Sequence, residues 1–147
     1  MEKIAKDLRN REYDIRIAKL KKILTNHDIR VSHQRLLILD YLIMHPVHPS
    51  ADTIFKDLKK LDPVLSQATV YNTLNLLVDK KIVKELDFNM TSKRYEFKKT
   101  NHGHFICESC GRIEDINVDD LEYPKSLEEY EIDNVEVIFR GLCPKCK

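Results

Sequence analysis

Apolar positions recur with a helical period along the first eighty residues and then switch to an alternating one. Residues 3 to 26 are dense in Lys and Arg. Ile15, Ala18, Leu20, Ile23 and Leu24 supply only part of an apolar face, which predicts a surface helix or arm. Ser32 can cap a second helix whose interior, residues 36 to 39 and 41 to 44, is apolar nearly all round, as a central core helix requires. It stops before His45-Pro46, because a residue ahead of proline is pushed out of helical geometry. Ser50 can cap a third helix, with Ala51, Ile54, Phe55, Leu58 and Leu61 at helical spacing and Asp62-Pro63 as its end. Ser66 can cap a fourth, from Gln67 to about Lys80. Val70, Leu74, Leu77 and Val78 line one side of it, and Gln67, Thr69, Tyr71, Asn72 and Asn75 the other. Residues 82 to 88 and 93 to 97 then read as two strands around the turn-prone residues 89 to 92.

Helices followed by a hairpin make a winged helix-turn-helix. In such a module the helix after the turn enters the major groove, where Asn, Gln, Thr and Tyr reach base edges or phosphates, while Lys93 and Arg94 on the hairpin reach the backbone. Winged helices also serve as protein-protein modules, a reading that leaves Tyr71 and Asn72 as ordinary surface.

The polar run at 98 to 103 reads as a hinge. Beyond it, residues 105 to 107, 113 to 116 and 135 to 139 look like three short strands, with a short helix near 121 to 130 between the last two. The expected organisation is α+β: a winged-helix DNA-binding domain with a basic N-terminal helix over 1 to 97, the hinge, and a small α/β dimerisation domain over 104 to 147. Three strands and a helix bury little apolar surface, so this domain needs a staple, a partner copy, or both.

Cysteine chemistry supplies the staple. All four cysteines lie in the last third, as Cys107-x-x-Cys110 and Cys143-x-x-Cys146. Each pair bends two thiolates toward one point, with Gly111 and Pro144 shaping the turns, and two such knuckles give tetrahedral zinc its four soft ligands. Structural disulfides and a redox-active pair are the alternatives; a cytosolic chain disfavours the first, and the lack of a helix opening after either pair disfavours the second. Four protein ligands leave no open position for a water, which argues against hydrolysis at this zinc.

Composition narrows the classes further. The chain has 147 residues, 42% hydrophobic and 33% charged, with only 3 Gly and 5 Pro, which excludes a disordered or collagen-like polymer. No apolar run approaches a membrane span and the N-terminus is too charged for a signal peptide, so a soluble, cytoplasmic protein is expected. The net charge of +1 hides an asymmetry: residues 1 to 96 carry 18 basic and 13 acidic side chains, the remainder 7 and 11. The first part suits a polyanion and the second does not, although imbalances of this size also occur on plain solvated surface.

A second ligand set clusters around the hinge. His102 and His104, at i and i+2, point to one face of a strand; Glu96 closes the wing, Asp115 follows the first knuckle, and His48 stands at the entry to the third helix. Three imidazoles and two carboxylates suit Fe(II), Mn(II) or Zn(II). Taken alone, His-x-His is a common pattern, and His48 also reads as a helix-entry residue. A zinc enzyme built on His102, His104 and Glu96 would need a base and a substrate pocket beyond the ligands, and the sequence offers neither, so no enzymatic activity is expected.

The stretches His48-Pro49-Ser50-Ala51-Asp52, Ala68-Thr69-Val70-Tyr71-Asn72-Thr73-Leu74 and His102-Gly103-His104-Phe105-Ile106-Cys107, followed by the second cysteine pair, resemble the ferric uptake regulator family of bacterial repressors. The likeness runs from about Arg30 to the end and lies near the peroxide-regulator branch. It implies homodimers that bind AT-rich inverted repeats of double-stranded DNA when a regulatory metal is present. It places that ion on His48, Glu96, His102, His104 and Asp115, and structural zinc on Cys107, Cys110, Cys143 and Cys146. It also implies that Arg30 enters the minor groove while Tyr71 and its neighbours read the major groove; Arg35 joins this DNA-binding set. Where some relatives carry a further metal site, this chain has Asn101, Gly103 and Val135, so that site is expected to be absent. Pro124 interrupts a shortened segment between the cysteine pairs. Within the family, peroxide sensing depends on Fe(II)-driven oxidation of a ligand histidine, here His48 or His102 by resemblance, but the peroxide branch typically has Asp where Glu96 stands. The longer side chain makes Fe(II) or Mn(II) availability the first expected signal, with peroxide the close alternative and zinc uptake the third.

Overall fold

The computed structural model describes residues 2–88, 91–97, 102–132 and 135–147, with side chains from residue 10 onward. It divides into two compact units, Met1–Lys98 and Lys99–Lys147.

Four helices open the first unit: α1 (Glu2–Asn26), α2 (His33–Met44), α3 (Ala51–Lys59) and α4 (Gln67–Asp79). The last three are capped as the sequence predicts, with the Ser32, Ser50 and Ser66 hydroxyls accepting from the backbone N–H of Arg35, Thr53 and Thr69. Each cap satisfies a donor that the first helical turn leaves orphaned, worth about 1 kcal/mol. At their C-terminal ends α1 and α4 share one closure. Asp28 and Lys81 take left-handed φ values of 56° and 59°, and Ile29 and Ile82 donate back to the carbonyls of Leu24 and Leu77. All four of those apolar side chains are buried, so the closing hydrogen bond and the closing hydrophobic contact coincide.

Strands β1 (Val83–Leu86) and β2 (Arg94–Phe97) form the antiparallel wing, paired Val83 with Phe97 and Lys84 with Glu96. They are shorter than expected, and the turn residues 89 and 90 lie outside the described residues. A single bridge between Ser50 and Arg94 adds a rudimentary third strand. Leu39, Leu42, Ile54, Leu58, Val70, Leu74 and Leu77 form the centre of the core, joined by Leu20 and Leu24 from α1. Each such side chain contributes about 1.5–3 kcal/mol by leaving water. The basic first helix is therefore part of the fold at its C-terminal end, while Ile15 stays exposed. Leu61, expected in the stripe of α3, lies past the end of that helix and is 74% exposed.

The second unit holds β3 (Gly103–Cys107), β4 (Ile113–Ile116) and β5 (Ile138–Gly141) in the order β4-β3-β5. β3 runs antiparallel to β4 and parallel to β5. Gly103, expected in the hinge, opens β3, and hinge residues 98 to 101 lie outside the described residues. The expected strand at 135 to 139 is displaced toward the C-terminus. His104 donates to the Val137 carbonyl and Glu108 to that of Gly141, so the ladder is drawn toward the second cysteine pair. Between β4 and β5 the expected helix at 121 to 130 is reduced to one 3-10 turn, Lys125–Leu127, with Pro124 at its cap position and no buried side chain. Without an apolar face to bury, so short a helix does not repay its nucleation.

Candidate metal centres and nucleic-acid face

Cys107 ends β3, and the turn after it closes when Gly111, at φ 73°, donates to the Cys107 carbonyl at 2.9 Å. The second knuckle is built alike, with Cys146 and Lys147 both donating to the Cys143 carbonyl at 2.9 and 3.0 Å. The parallel pairing that sets Cys107 opposite Gly141 brings the two turns together. One sulfur from each of the four cysteines falls in a cluster no more than 4.8 Å across, and Cys110 Sγ and Cys143 Sγ are 3.9 Å apart. A tetrahedron with Zn–S bonds near 2.3 Å has edges of about 3.8 Å. The cluster fits zinc, and none of the four is in a disulfide. Backbone N–H groups of Cys110, then Cys143, push the Cys107 thiol down to about 6, so the loop favours a thiolate there. Hydrogen bonding to the Cys143 thiol pushes Cys146 up to about 11.

The imidazole and carboxylate ligands are divided between the units, and each unit orders its own share. In the second, His102 Nε2 and His104 Nε2 lie 3.1 Å apart, and Asp115 Oδ1 is 3.7 and 3.6 Å from them. The register of β3 with β4 sets His104 directly opposite Asp115. In the first unit, His48 Nε2 meets Glu96 Oε2 at 3.1 Å, both side chains buried. His48 adopts φ 55°, a left-handed conformation that costs a non-glycine residue about 1–3 kcal/mol and persists only where neighbours fix it. Tyr95 donates to the Pro49 carbonyl at 2.9 Å, and Arg94 Nη1 to the His48 carbonyl at 3.1 Å. Both halves offer nitrogen and oxygen donors suited to Fe(II), Mn(II) or Zn(II).

On the outer side of α4, Gln67, Tyr71, Asn72 and Asn75 are exposed, and Thr69 is half-buried with its hydroxyl on that of Ser66. A polar groove joins this helix to the loop before α2; Arg30, Ser32, Gln34, Arg35, Thr69 and Asn72 all line it. Arg35 Nη1 donates to the Arg30 carbonyl at 2.6 Å, fixing the loop from which the exposed Arg30 projects. Ser32 and Gln34 were not singled out by the sequence pattern as groove residues. Their signal was the turn they share with Arg30 and Arg35. Lys93 is exposed on the wing but held by Glu85 at 2.6 Å, which raises its pKa. Arg94 points inward instead.

A sequence model described as the ferric uptake regulator family matches residues 26–139. The chain belongs to that family. It is 39% identical over 128 residues to the peroxide-responsive repressor PerR of Staphylococcus saprophyticus, covering 84% of this chain and 86% of that one. It is 36% identical over 140 residues to PerR of Staphylococcus epidermidis, covering 92% and 91%. Among solved structures, the Campylobacter jejuni peroxide stress regulator superposes with a TM-score of 0.68 at 32% identity, covering 88% of this chain and 97% of that one. The Helicobacter pylori ferric uptake regulator shares the fold, with a TM-score of 0.75 at 22% identity and coverage of 90% and 92%. As a member of this family, the chain is a metal-responsive DNA-binding repressor and not an enzyme, with one cysteine ligand set and one of histidine and carboxylate. Among the described residues no helix is long and apolar enough to cross a membrane.

Proposed function

We propose that this chain is a cytoplasmic, homodimeric repressor that binds AT-rich inverted repeats and is released from them by peroxide. The observation that carries this reading is the agreement of relatives at 36–39% identity over most of the chain, all named peroxide-responsive repressors. It reverses the order that Glu96 suggests, in which Fe(II) or Mn(II) availability comes first; that signal is the second reading, favoured by Glu96 alone. Cys107, Cys110, Cys143 and Cys146 hold the structural zinc. His48 and Glu96 of the first unit, with His102, His104 and Asp115 of the second, act as two halves of one regulatory site. A single ion held by both halves selects the arrangement in which the two α4 helices of a dimer match successive major grooves, about 34–36 Å apart. Gln67, Thr69, Tyr71, Asn72 and Asn75 face the bases and phosphates there; Arg30, steadied by Arg35, serves the minor groove, and Lys93 the backbone.

Fe(II) at this site supplies the chemistry that lets peroxide react. His48 or His102 would take up one oxygen atom of the peroxide, the other leaving as water, and the oxidised ring would be lost as a ligand. Mass spectrometry of the Fe(II)-loaded protein after mild peroxide tests this. A gain of one oxygen on either histidine with loss of operator binding, while the Mn(II) form is untouched, is the expected result. Unmodified histidines and retained binding in both forms would return the reading to Fe(II) or Mn(II) availability.

A further inference from the structure

The hairpin's sequence pattern places Arg94 among the side chains that reach the DNA backbone. The geometry points to a different role, in which Arg94 is a positioning residue for the regulatory metal site, the strut that holds His48 in place. This rests on the reading of His48 and Glu96 as regulatory ligands.

Two residues apart on β2, Arg94 and Glu96 share one face of the wing. They grip the same residue at two points. Arg94 Nη1 donates to the His48 main-chain carbonyl at 3.1 Å, and Glu96 Oε2 lies 3.1 Å from the His48 imidazole. The bridge between Ser50 and Arg94 keeps the two segments in register. Arg94 is half-buried, and its Nε is fully so, with no hydrogen-bond partner among the described residues, so that nitrogen is withdrawn from the solvent in which a phosphate contact would form. The residue it holds carries the left-handed φ of 55°. Such a backbone relaxes toward an ordinary region once its carbonyl is released, and the imidazole it carries would then swing with it. Arg94 thereby ties the wing of the DNA-binding unit to the ligand whose placement decides metal affinity.

The full-length, zinc-loaded chain and its Arg94→Gln, Arg94→Lys and His48→Ala variants are titrated with Mn(II) by calorimetry. Binding to an AT-rich inverted-repeat duplex is then measured across salt concentration at saturating Mn(II). Partners one step removed from a metal ligand change affinity by about 10–100-fold. Arg94→Gln should therefore raise the Mn(II) dissociation constant at least about tenfold, leaving zinc content and the salt slope of DNA binding unchanged. Arg94→Lys, which keeps one donor but loses the planar fork, should fall between Gln and the parent. A salt slope reduced by about one with unchanged Mn(II) affinity would overturn the inference, since that is the signature of a lost phosphate contact. If the Gln variant melts early, the Lys variant decides: weaker Mn(II) binding at an unchanged Tm supports the strut, and unchanged Mn(II) binding overturns it. His48→Ala separates the two levels. Unchanged Mn(II) affinity there would sink the regulatory site itself, whereas a loss there beside an unaffected Arg94→Gln would sink only the strut.

Discussion

The two units of this chain solve the stability problem differently. The first buries a continuous apolar core drawn from four helices and the wing, with serine caps on α2, α3 and α4 and closed ends on α1 and α4. In the second, the buried apolar side chains among the described residues are Ile106, Cys107 and Cys143, and two of those three are cysteines of the zinc cluster. Tyr123, Tyr130, Ile132 and Phe139 are exposed instead. A sheet of three short strands offers too little interior to offset the entropy of ordering its chain. The first unit is held by water's exclusion and the second by ligand bonds, so different treatments should break them separately.

Removing the zinc should have the largest effect, and only on the second unit. Structural zinc in small domains contributes about 10–16 kcal/mol of apparent binding energy, which is folding energy when its ligands come from distant segments. In Cys143→Ser, amide exchange in β3, β4 and β5 should become nearly unprotected while α2 and α4 remain slow, with dimerisation and operator binding lost. A variant that kept β3 protected and bound DNA in full would refute the division.

The complementary lesion is Leu39→Ala. Leu39 is fully buried in α2, and cavities of this kind cost about 2–5 kcal/mol. The thermal transition of the first unit should fall while the zinc content stays at the parental value. Loss of zinc in step with that transition would mean that the units do not fold separately.

The same contrast explains what the sequence made legible. Helices α2, α3 and α4 were readable because each signal was redundant: a serine cap, apolar positions at helical spacing and a proline or polar stop agreed. The cysteine pairs were readable because their spacing is itself the ligand geometry. In the second unit the local signals conflict. Residues 135 to 137 alternate like a strand, yet the described strand begins at Ile138, where pairing with β3 leads into the zinc knuckle. Residues 121 to 130 have helical composition but no surface to bury it against. The bond that Arg94 makes to the His48 carbonyl was not legible for another reason. The positive charge of Arg94 on a hairpin reads as phosphate contact, and only the bridge to Ser50 and the left-handed turn at His48 reveal its inward bond.

The smallest expected effect lies within the first unit and sharpens the comparison through pH. Tyr41 on α2 donates its hydroxyl to Asp57 Oδ2 at 2.6 Å. Burial, followed by the hydrogen bond and charge of Asp57, pushes its pKa from 10.0 up to about 12. A phenol whose folded pKa exceeds its unfolded one keeps its proton longer when folded. Its contribution is therefore complete below about pH 10 and disappears as pH rises toward 12. Tyr41→Phe should cost the first unit about 1.5–3 kcal/mol at neutral pH, the range for a hydrogen bond to a charged acceptor. Asp57 is not stranded by the change, since Lys60 Nζ lies 3.7 Å from its other oxygen. Urea unfolding of parent and Tyr41→Phe at several pH values, followed by a signal from α2, measures the difference. Between pH 10 and 12 the parent should lose stability faster than the variant, so the two curves converge at the alkaline end. The zinc content of the second unit should not distinguish them. Curves that stay parallel across that window would show that folding does not raise the Tyr41 pKa, and curves that coincide throughout would show that the bond to Asp57 contributes nothing to the first unit's stability.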